Sequence, residues 1–274
     1  MPSLPDIEAF RSALNGLGVL AIRDVAAVWR ELSEESPDVI TAVLQGAIPA
    51  ALEPYIVGAS DLATVWYSEL SDAPYAAVPA APPPTEQIQA SVRWATGPLY
   101  GRGAAPVLDL LAGAAQRYVF SGARNTLVDN SSREGVRWAR YASANACAFC
   151  RMLATRGAAY TSESAAGVVV GRGQEVSLSE RRRRAAGHTR RTAGRFMAGG
   201  ARTRGTQGMG ERFHDNCRCL PVPVRAGDSY TPPSYVDEWE QQYIEATRET
   251  PGTGKYGAID TRAVLAHMRR NGAQ

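Results

Sequence analysis

The chain has 274 residues, of which 45% are hydrophobic and 21% are charged, and its formal net charge is +3. This length is enough to bury a sizeable core in one large or two small domains, and the composition is ordinary for a globular protein. A charge of +3 is too small to imply nucleic-acid binding by itself. The first 32 residues contain scattered charges and do not resemble a signal peptide, and no run of about eighteen apolar residues predicts a membrane span. We therefore expect no membrane contact, and we expect the chain to remain in the compartment where it is made.

The N-terminal quarter of the sequence has helical periodicity. Apolar residues recur at three- and four-residue steps over positions 4–32, which places them on one helix face. Positions 36–38 (Ser-Pro-Asp) offer a second helix start, because a proline in the first turn needs no N–H partner. Helical spacing then continues over positions 39–70, where Pro49 and Pro54 are expected to kink or divide the helix. The pattern predicts two or three helices in an antiparallel hairpin.

A proline-rich segment interrupts this pattern at positions 74–84, with five prolines in eleven positions. Such a segment cannot sustain a helix or a central strand, so it is predicted to be an extended linker or a strap laid over the surface. Helical spacing resumes from Thr85 and again over positions 104–128.

Two short strands are predicted in the C-terminal half. Positions 136–141 alternate apolar and basic residues, as a half-buried strand does. Positions 219–224 form a second candidate, which its prolines restrict to a sheet edge. The arginine- and glycine-rich sequence between them is predicted to contain some helix in 178–197. Helical patterns return at 234–247 and 258–268.

These elements predict an α+β fold that is mainly α. A helical region is expected at 1–73, the proline-rich linker at 74–84, a small cysteine-containing module with short antiparallel strands at 85–228, and a C-terminal helical tail at 229–274.

The four cysteines form two close-spaced pairs that are far apart in the sequence, Cys147-Ala-Phe-Cys150 and His214-Asp-Asn-Cys217-Arg-Cys219. A two-residue spacing lets a tight turn present two sulfurs to one ion, and thiolate and imidazole are ligands that suit zinc. Five candidates compete for the four places of a tetrahedral shell. We predict one structural zinc ion held by Cys147, Cys150, His214 and Cys217. Cys219 is the alternative fourth ligand, because it begins the predicted strand and can point into the core.

Other chemistries of these residues fit less well. Two disulfides would need an oxidising compartment, which the sequence does not indicate. A redox C-x-x-C leaves the downstream His-x-x-Cys-x-Cys without a role. A thioredoxin-like βαβ pattern, which precedes such redox pairs, is not found before Cys147. A zinc-dependent deaminase needs His-x-Glu before its cysteine pair, and the chain has no His-x-Glu. A hydrolytic site would leave one position for water, whereas five candidate ligands favour a closed shell.

The basic charge is concentrated between Gly167 and Arg212, where eleven arginines accompany three glutamates. Its densest run is Arg181, Arg182, Arg183 and Arg184. This run can contact DNA phosphates or an acidic protein surface, and a solvated helix face or loop is the third interpretation. Aromatic residues are nearly absent from the segment, which argues against a platform that stacks single-stranded bases.

The motifs around the cysteines resemble a known family. They are RNTL at 124–127, RWAR at 137–140, CAFCRMLATRGAAY at 147–160 and FHDNCRC at 213–219. This order is similar to that of phage minor head proteins, the Mu F-like head morphogenesis family, in the variant common among tailed phages of actinobacteria. The family pattern is a C-x-x-C, a glycine several residues on, and a later His-x-x-Cys-Arg-Cys. The resemblance is strong over 127–224 and identifies 85–228 as the head morphogenesis module.

The resemblance implies a minor capsid protein that is made in the host bacterial cytoplasm and built into the virion. It implies a few copies at the portal or capsid interior that assist head assembly or genome ejection, with portal and capsid proteins as partners, packaged DNA as a further one, and no small-molecule substrate. Some relatives are labelled capsid maturation proteases. Here His188 and His267 lie in no motif with a serine nucleophile, and His214 is assigned to the metal. We therefore expect no enzyme, with a protease as the second hypothesis and a DNA-binding zinc module as the third.

Overall fold

The computed structural model describes residues 2–32, 34–70, 75–101, 103–158, 217–252 and 259–272, together with the backbone of four two-residue strands. The helices in this part of the chain are α1 (Leu4–Leu32), α2 (Pro37–Glu69), α3 (Thr85–Thr96), α4 (Val107–Glu134), α5 (Ala148–Ala154), α6 (Tyr235–Glu249) and α7 (Thr261–Arg270). The strands are β1 (Arg137–Tyr141), β2 (Val168–Val169), β3 (Arg191–Thr192), β4 (Arg195–Phe196), β5 (Gln207–Gly208) and β6 (Leu220–Val224). The chain is mainly helical with a small two-stranded antiparallel sheet, as predicted.

The described residues fall into two compact units. The first contains residues 2–130 and Cys217, and so holds α1, α2, α3 and most of α4. The second contains the described residues of 131–212 and 218–274, and so holds the β1–β6 sheet, α5, α6 and α7. The domain boundaries predicted at 73, 84 and 228 stay predictions.

Helices α1 and α2 form the predicted antiparallel hairpin. Near one end the rings of Phe10 and Trp66 stack with centroids 4.5 Å apart. Further along, the Tyr55 hydroxyl donates a hydrogen bond to the Asp24 carboxylate. This carboxylate is the main cause of a raised pKa at Tyr55, because ionising the phenol would break the bond and place two negative charges together.

Pro49 and Pro54 were expected to kink or divide α2; it is one continuous helix, so they do not divide it, and a kink stays a prediction. Helix α2 begins as predicted, with the Ser36 side chain accepting a bond from the Val39 N–H at 3.4 Å. Pro49 removes the N–H that would bond the carbonyl of Gln45, and that carbonyl instead accepts a bond from the Gln89 side chain at 3.3 Å. The carbonyl freed by Pro54 belongs to Ala50, which is exposed to water.

Helices α1 and α2 are also long and apolar enough to cross a membrane, by length and composition alone. This is weak evidence, because a core helix of a soluble protein passes the same test. Each helix buries an apolar stripe, and the buried share of the apolar windows is 28% and 33%. The absence of membrane contact stays a prediction.

The proline-rich segment is a strap in its described part, residues 75–84, and it is hydrogen-bonded to α4. The Asn130 side chain accepts a bond from the Val78 N–H at 3.0 Å and donates one to the Val78 carbonyl at 2.8 Å. The Ala80 N–H donates to the Thr126 hydroxyl at 3.0 Å. Two side chains of α4 therefore hold the extended backbone, much as a neighbouring strand would.

In the second unit, β1 pairs with β6 in antiparallel register, with Trp138 opposite Pro223 and Arg140 opposite Pro221. The two prolines are separated by one residue, so both occupy positions whose missing N–H faces away from β1. Helix α5 packs against β1, α6 and α7. The helix predicted over 178–197 lies outside the described residues except at β3 and β4, and these four residues form an antiparallel pair rather than a helix.

Candidate metal centre

The first cysteine pair lies at the start of α5. Cys147 is the residue before the helix and has an extended backbone, with φ −67° and ψ 162°, and Cys150 follows in the first turn. The Arg151 Nε donates to the Ala146 carbonyl at 2.7 Å, and its guanidinium lies 5.3 Å from the centre of the Trp239 ring on α6. These contacts fix the turn, which buries Cys150 to 2% exposure and leaves Cys147 half-buried.

The second cysteine pair directly precedes β6. Cys217 and Cys219 are 3% and 2% exposed, and Leu220 begins the strand. The pairing of β6 with β1 fixes the direction in which the chain enters the sheet. Two cysteines separated by one residue are therefore held at the end of an ordered strand.

The sulfurs of Cys150, Cys217 and Cys219 lie within 4.8 Å of one another. Two thiolates bound to one zinc ion at about 2.3 Å in tetrahedral geometry have their sulfurs about 3.8 Å apart. All four cysteines belong to the described part of the chain, and none of them forms a disulfide. The three buried cysteines thus lie close enough to hold a metal ion.

The predicted ligands are placed as follows. Cys150 and Cys217 are in the three-sulfur group, and Cys219, the predicted alternative to Cys217, accompanies them. Cys147 is not part of this group. His214 lies outside the described residues, as do Arg181, Arg182, Arg183 and Arg184. A tetrahedral shell built on the three sulfurs has one further place, for which Cys147 and His214 are the candidates.

The surroundings of Cys219 are poorly solvated. Tyr230 packs against a small core of Ala139, Ala158 and Val224. Burial raises the pKa of the Tyr230 phenol far above its ordinary value, and the Cys219 thiol group raises it further. Water-poor surroundings suit a closed metal site more than one that must exchange water or substrate.

His267 is the one histidine among the described residues, and its ring lies 2.8 Å from the Asn271 side chain and 3.6 Å from the Glu249 carboxylate. A histidine that activates a nucleophile needs a serine or cysteine within hydrogen-bond reach. The partners of His267 are an amide and a carboxylate, and the protease hypothesis stays a prediction.

Sequence reasoning assigned no role to Arg124, which belongs to one of the quoted motifs. Its Nη2 donates a hydrogen bond to the carbonyl oxygen of Cys217 at 2.5 Å. The signal in the sequence was an arginine on a helix face whose neighbours Phe120 and Leu127 are apolar. Such a position predicts a buried guanidinium, but the sequence does not show which distant carbonyl it meets.

Comparison with known proteins identifies the family of this chain. The model of the VG15 protein family matches residues 1–175 and 183–246, which is most of the chain. The chain belongs to the VG15 family. VG15 is a family of viral proteins from phages, so the predicted phage origin is supported at this level. No curated protein and no solved structure matches the chain. The VG15 match covers all four helices of the first unit and the three clustered cysteines.

Proposed function

We propose that this VG15 protein is a minor capsid protein of a tailed phage, associated with the portal or the capsid interior, that assists head assembly or genome ejection. The observation that carries the proposal is the VG15 match over residues 1–175 and 183–246. The order of the cysteine motifs supports it, because it resembles that of the Mu F-like head morphogenesis proteins. The protein would be made in the host bacterium and carried in the virion.

A structural zinc ion is the second part of the proposal. Cys150, Cys217 and Cys219 would supply three thiolates, and Cys147 or His214 would complete the shell. The cluster is buried and lacks a disulfide, which suits a closed site. A metal held there would cross-link α5 to the start of β6 and would close a long loop of the chain. Such a cross-link stabilises the folded state, because the metal has no preformed site in the unfolded chain.

Metal analysis of purified protein and of five variants tests the zinc site. We expect one zinc ion per chain in the parent protein, and its loss in Cys150→Ser and Cys219→Ser. Comparing Cys147→Ser with His214→Ala identifies the fourth ligand, since only its replacement weakens binding. Ala146→Ser is the matched control, because it adds a hydroxyl beside the same turn without removing a thiol. A folded, metal-free protein would refute the zinc proposal.

The virion role is tested in phage particles. We expect mass spectrometry of purified virions to detect the chain in a few copies, and we expect a phage lacking its gene to make defective heads. Co-expression with the major capsid protein separates this role from that of a protease. Cleavage of the capsid protein that disappears on replacing one residue outside the metal site would overturn the structural role. Absence of the chain from virions would overturn the capsid assignment.

A further inference from the structure

Arg124 is a buried cation beside the candidate metal centre. Its side chain is 1% exposed, although it carries a full positive charge. The guanidinium lies 5.0 Å from the centre of the Phe120 ring, one helix turn earlier on α4. Its Nη2 donates to the Cys217 carbonyl. The Arg124 side chain therefore bonds directly to the backbone of Cys217, one of the proposed metal ligands.

Burying a guanidinium is costly unless hydrogen bonds and opposite charge compensate for the lost water. The Cys217 carbonyl accepts a hydrogen bond from the guanidinium, and the face of the Phe120 ring adds a weak attraction. A divalent metal bound to three thiolates has a net charge of −1, and one bound to four has −2. Because Cys217 supplies both the carbonyl and a clustered sulfur, the charge of such a centre would lie close to the guanidinium.

We propose that Arg124 is the positioning residue of the metal centre. It fixes the backbone of Cys217, and thereby the direction of the Cys217 sulfur, and its charge stabilises the anionic metal–thiolate cluster. This inference rests on the metal site proposed above. Partners that orient metal ligands from outside the coordination shell commonly change metal affinity by about 10- to 100-fold when they are replaced.

Arg117 provides a matched comparison on the same helix. Its guanidinium lies 4.7 Å from the centre of the adjacent Tyr118 ring, and its Nη2 donates to the Ser91 hydroxyl at 3.0 Å. Arg117 and Arg124 thus share a helix and a contact with a nearby aromatic ring. Arg117 bonds the Ser91 hydroxyl, whereas Arg124 bonds the backbone of a clustered cysteine.

The test measures zinc affinity of the full chain by competition with a chelator, for the parent protein, Arg124→Met, Arg124→Lys and Arg117→Met. We expect Arg124→Met to weaken zinc binding by about 10- to 100-fold. Arg124→Lys should give an intermediate affinity, because lysine keeps the charge and a donor but loses the planar fork. Arg117→Met should bind zinc as the parent does. If Arg124→Met does not fold, the zinc affinities of Arg124→Lys and Arg117→Met test the proposal.

Thermal unfolding with and without zinc separates positioning from a merely structural role. If Arg124 only supports the fold, replacing it lowers the unfolding midpoint of the metal-free and the metal-loaded protein equally. If Arg124 positions Cys217, replacing it also reduces the increase in midpoint that zinc produces. Unchanged zinc affinity in both Arg124 variants, with an unchanged zinc-induced increase, would refute the role of Arg124 alone. A parent protein that binds no zinc would instead refute the metal site itself.

Discussion

Gly122 lies where α4 packs against α2. A Cβ at this position would lie 2.6 Å from the carbonyl oxygen of Ile56 and 3.0 Å from the Ser60 hydroxyl oxygen. Carbon and oxygen atoms cannot approach to 2.6 Å without repulsion, and the Ile56 carbonyl is part of a helix backbone that cannot move alone. The hydrogen at Gly122 therefore sets how closely the two helices pack.

We predict that Gly122→Ala destabilises the protein by about 1–3 kcal/mol, the usual cost of overpacking a well-filled contact. Urea unfolding followed by circular dichroism measures the change. Gly58→Ala and Gly46→Ala on α2 are controls, because a Cβ there meets nothing within 4 Å. These controls should be neutral or stabilise by up to about 1 kcal/mol, since alanine favours a helix. Equal effects at Gly122 and at the controls would contradict the steric argument.

At the scale of single residues, the sequence predicted that cysteines from both pairs would meet, because close-spaced thiols are typical of a zinc site. It did not predict that Cys217 and Cys219 would both lie beside Cys150. Cys219 is the second choice from the sequence because it begins the predicted strand and can point into the core, but Leu220 is the first strand residue and Cys219 precedes it. Strand alternation therefore does not govern the direction of its side chain.

At the scale of elements, side chains of α4 hold the strap at 75–84 by hydrogen bonds to its backbone. Asn130 is fully buried and bonds both the backbone N–H and the backbone carbonyl of Val78, while also accepting a bond from the Tyr75 hydroxyl at 3.2 Å. Proline-rich backbone has few N–H groups, so the remaining ones need partners when they are covered. Asn130 and Thr126 provide these partners from one helix face.

Replacing Asn130 should therefore release the strap. We predict that Asn130→Ala costs about 1–3 kcal/mol, because it removes the side-chain partner of the Val78 N–H and carbonyl. Hydrogen exchange at the Val78 amide should accelerate, and urea unfolding gives the loss of stability. Ser121→Ala is the control, since its hydroxyl bonds the Arg117 carbonyl within α4. Unchanged exchange at Val78 in Asn130→Ala would show that the strap is held by other contacts.

Most helices and both strands of the main sheet were predictable, because their periodicity is strong and, for α2, because the helix begins at a capping residue, Ser36. The continuity of α2 was not predictable. Whether a proline breaks a helix depends on what becomes of the carbonyl four residues earlier. For Pro49 this is the carbonyl of Gln45, which accepts a hydrogen bond from the Gln89 side chain on α3. Sequence periodicity contains no information on that tertiary contact.

At the scale of the whole molecule, the metal site and the helical hairpin are supported by different interactions. The first unit has its own core, including the stacked rings of Phe10 and Trp66 and the buried stripe of α2. The second unit has a two-stranded sheet and three helices of 7, 15 and 10 residues. Small sheets and short helices are only marginally stable without added cross-links. A metal ion would therefore matter most to β1, β6 and α5.

Removing the metal should therefore open the structure around β1, β6 and α5 before it unfolds the rest of the chain. We predict that chelation increases hydrogen exchange in β1, β6 and α5, while the amides of α1 and α2 keep their protection, because opening proceeds in cooperative units of unequal stability. Hydrogen-exchange mass spectrometry with and without chelator measures this. Cys150→Ser should show the same pattern before chelator is added and no further change afterwards, which excludes an unspecific effect of the chelator. Exchange that rises equally in α1 and in β6 would mean that the metal stabilises the chain as one cooperative unit.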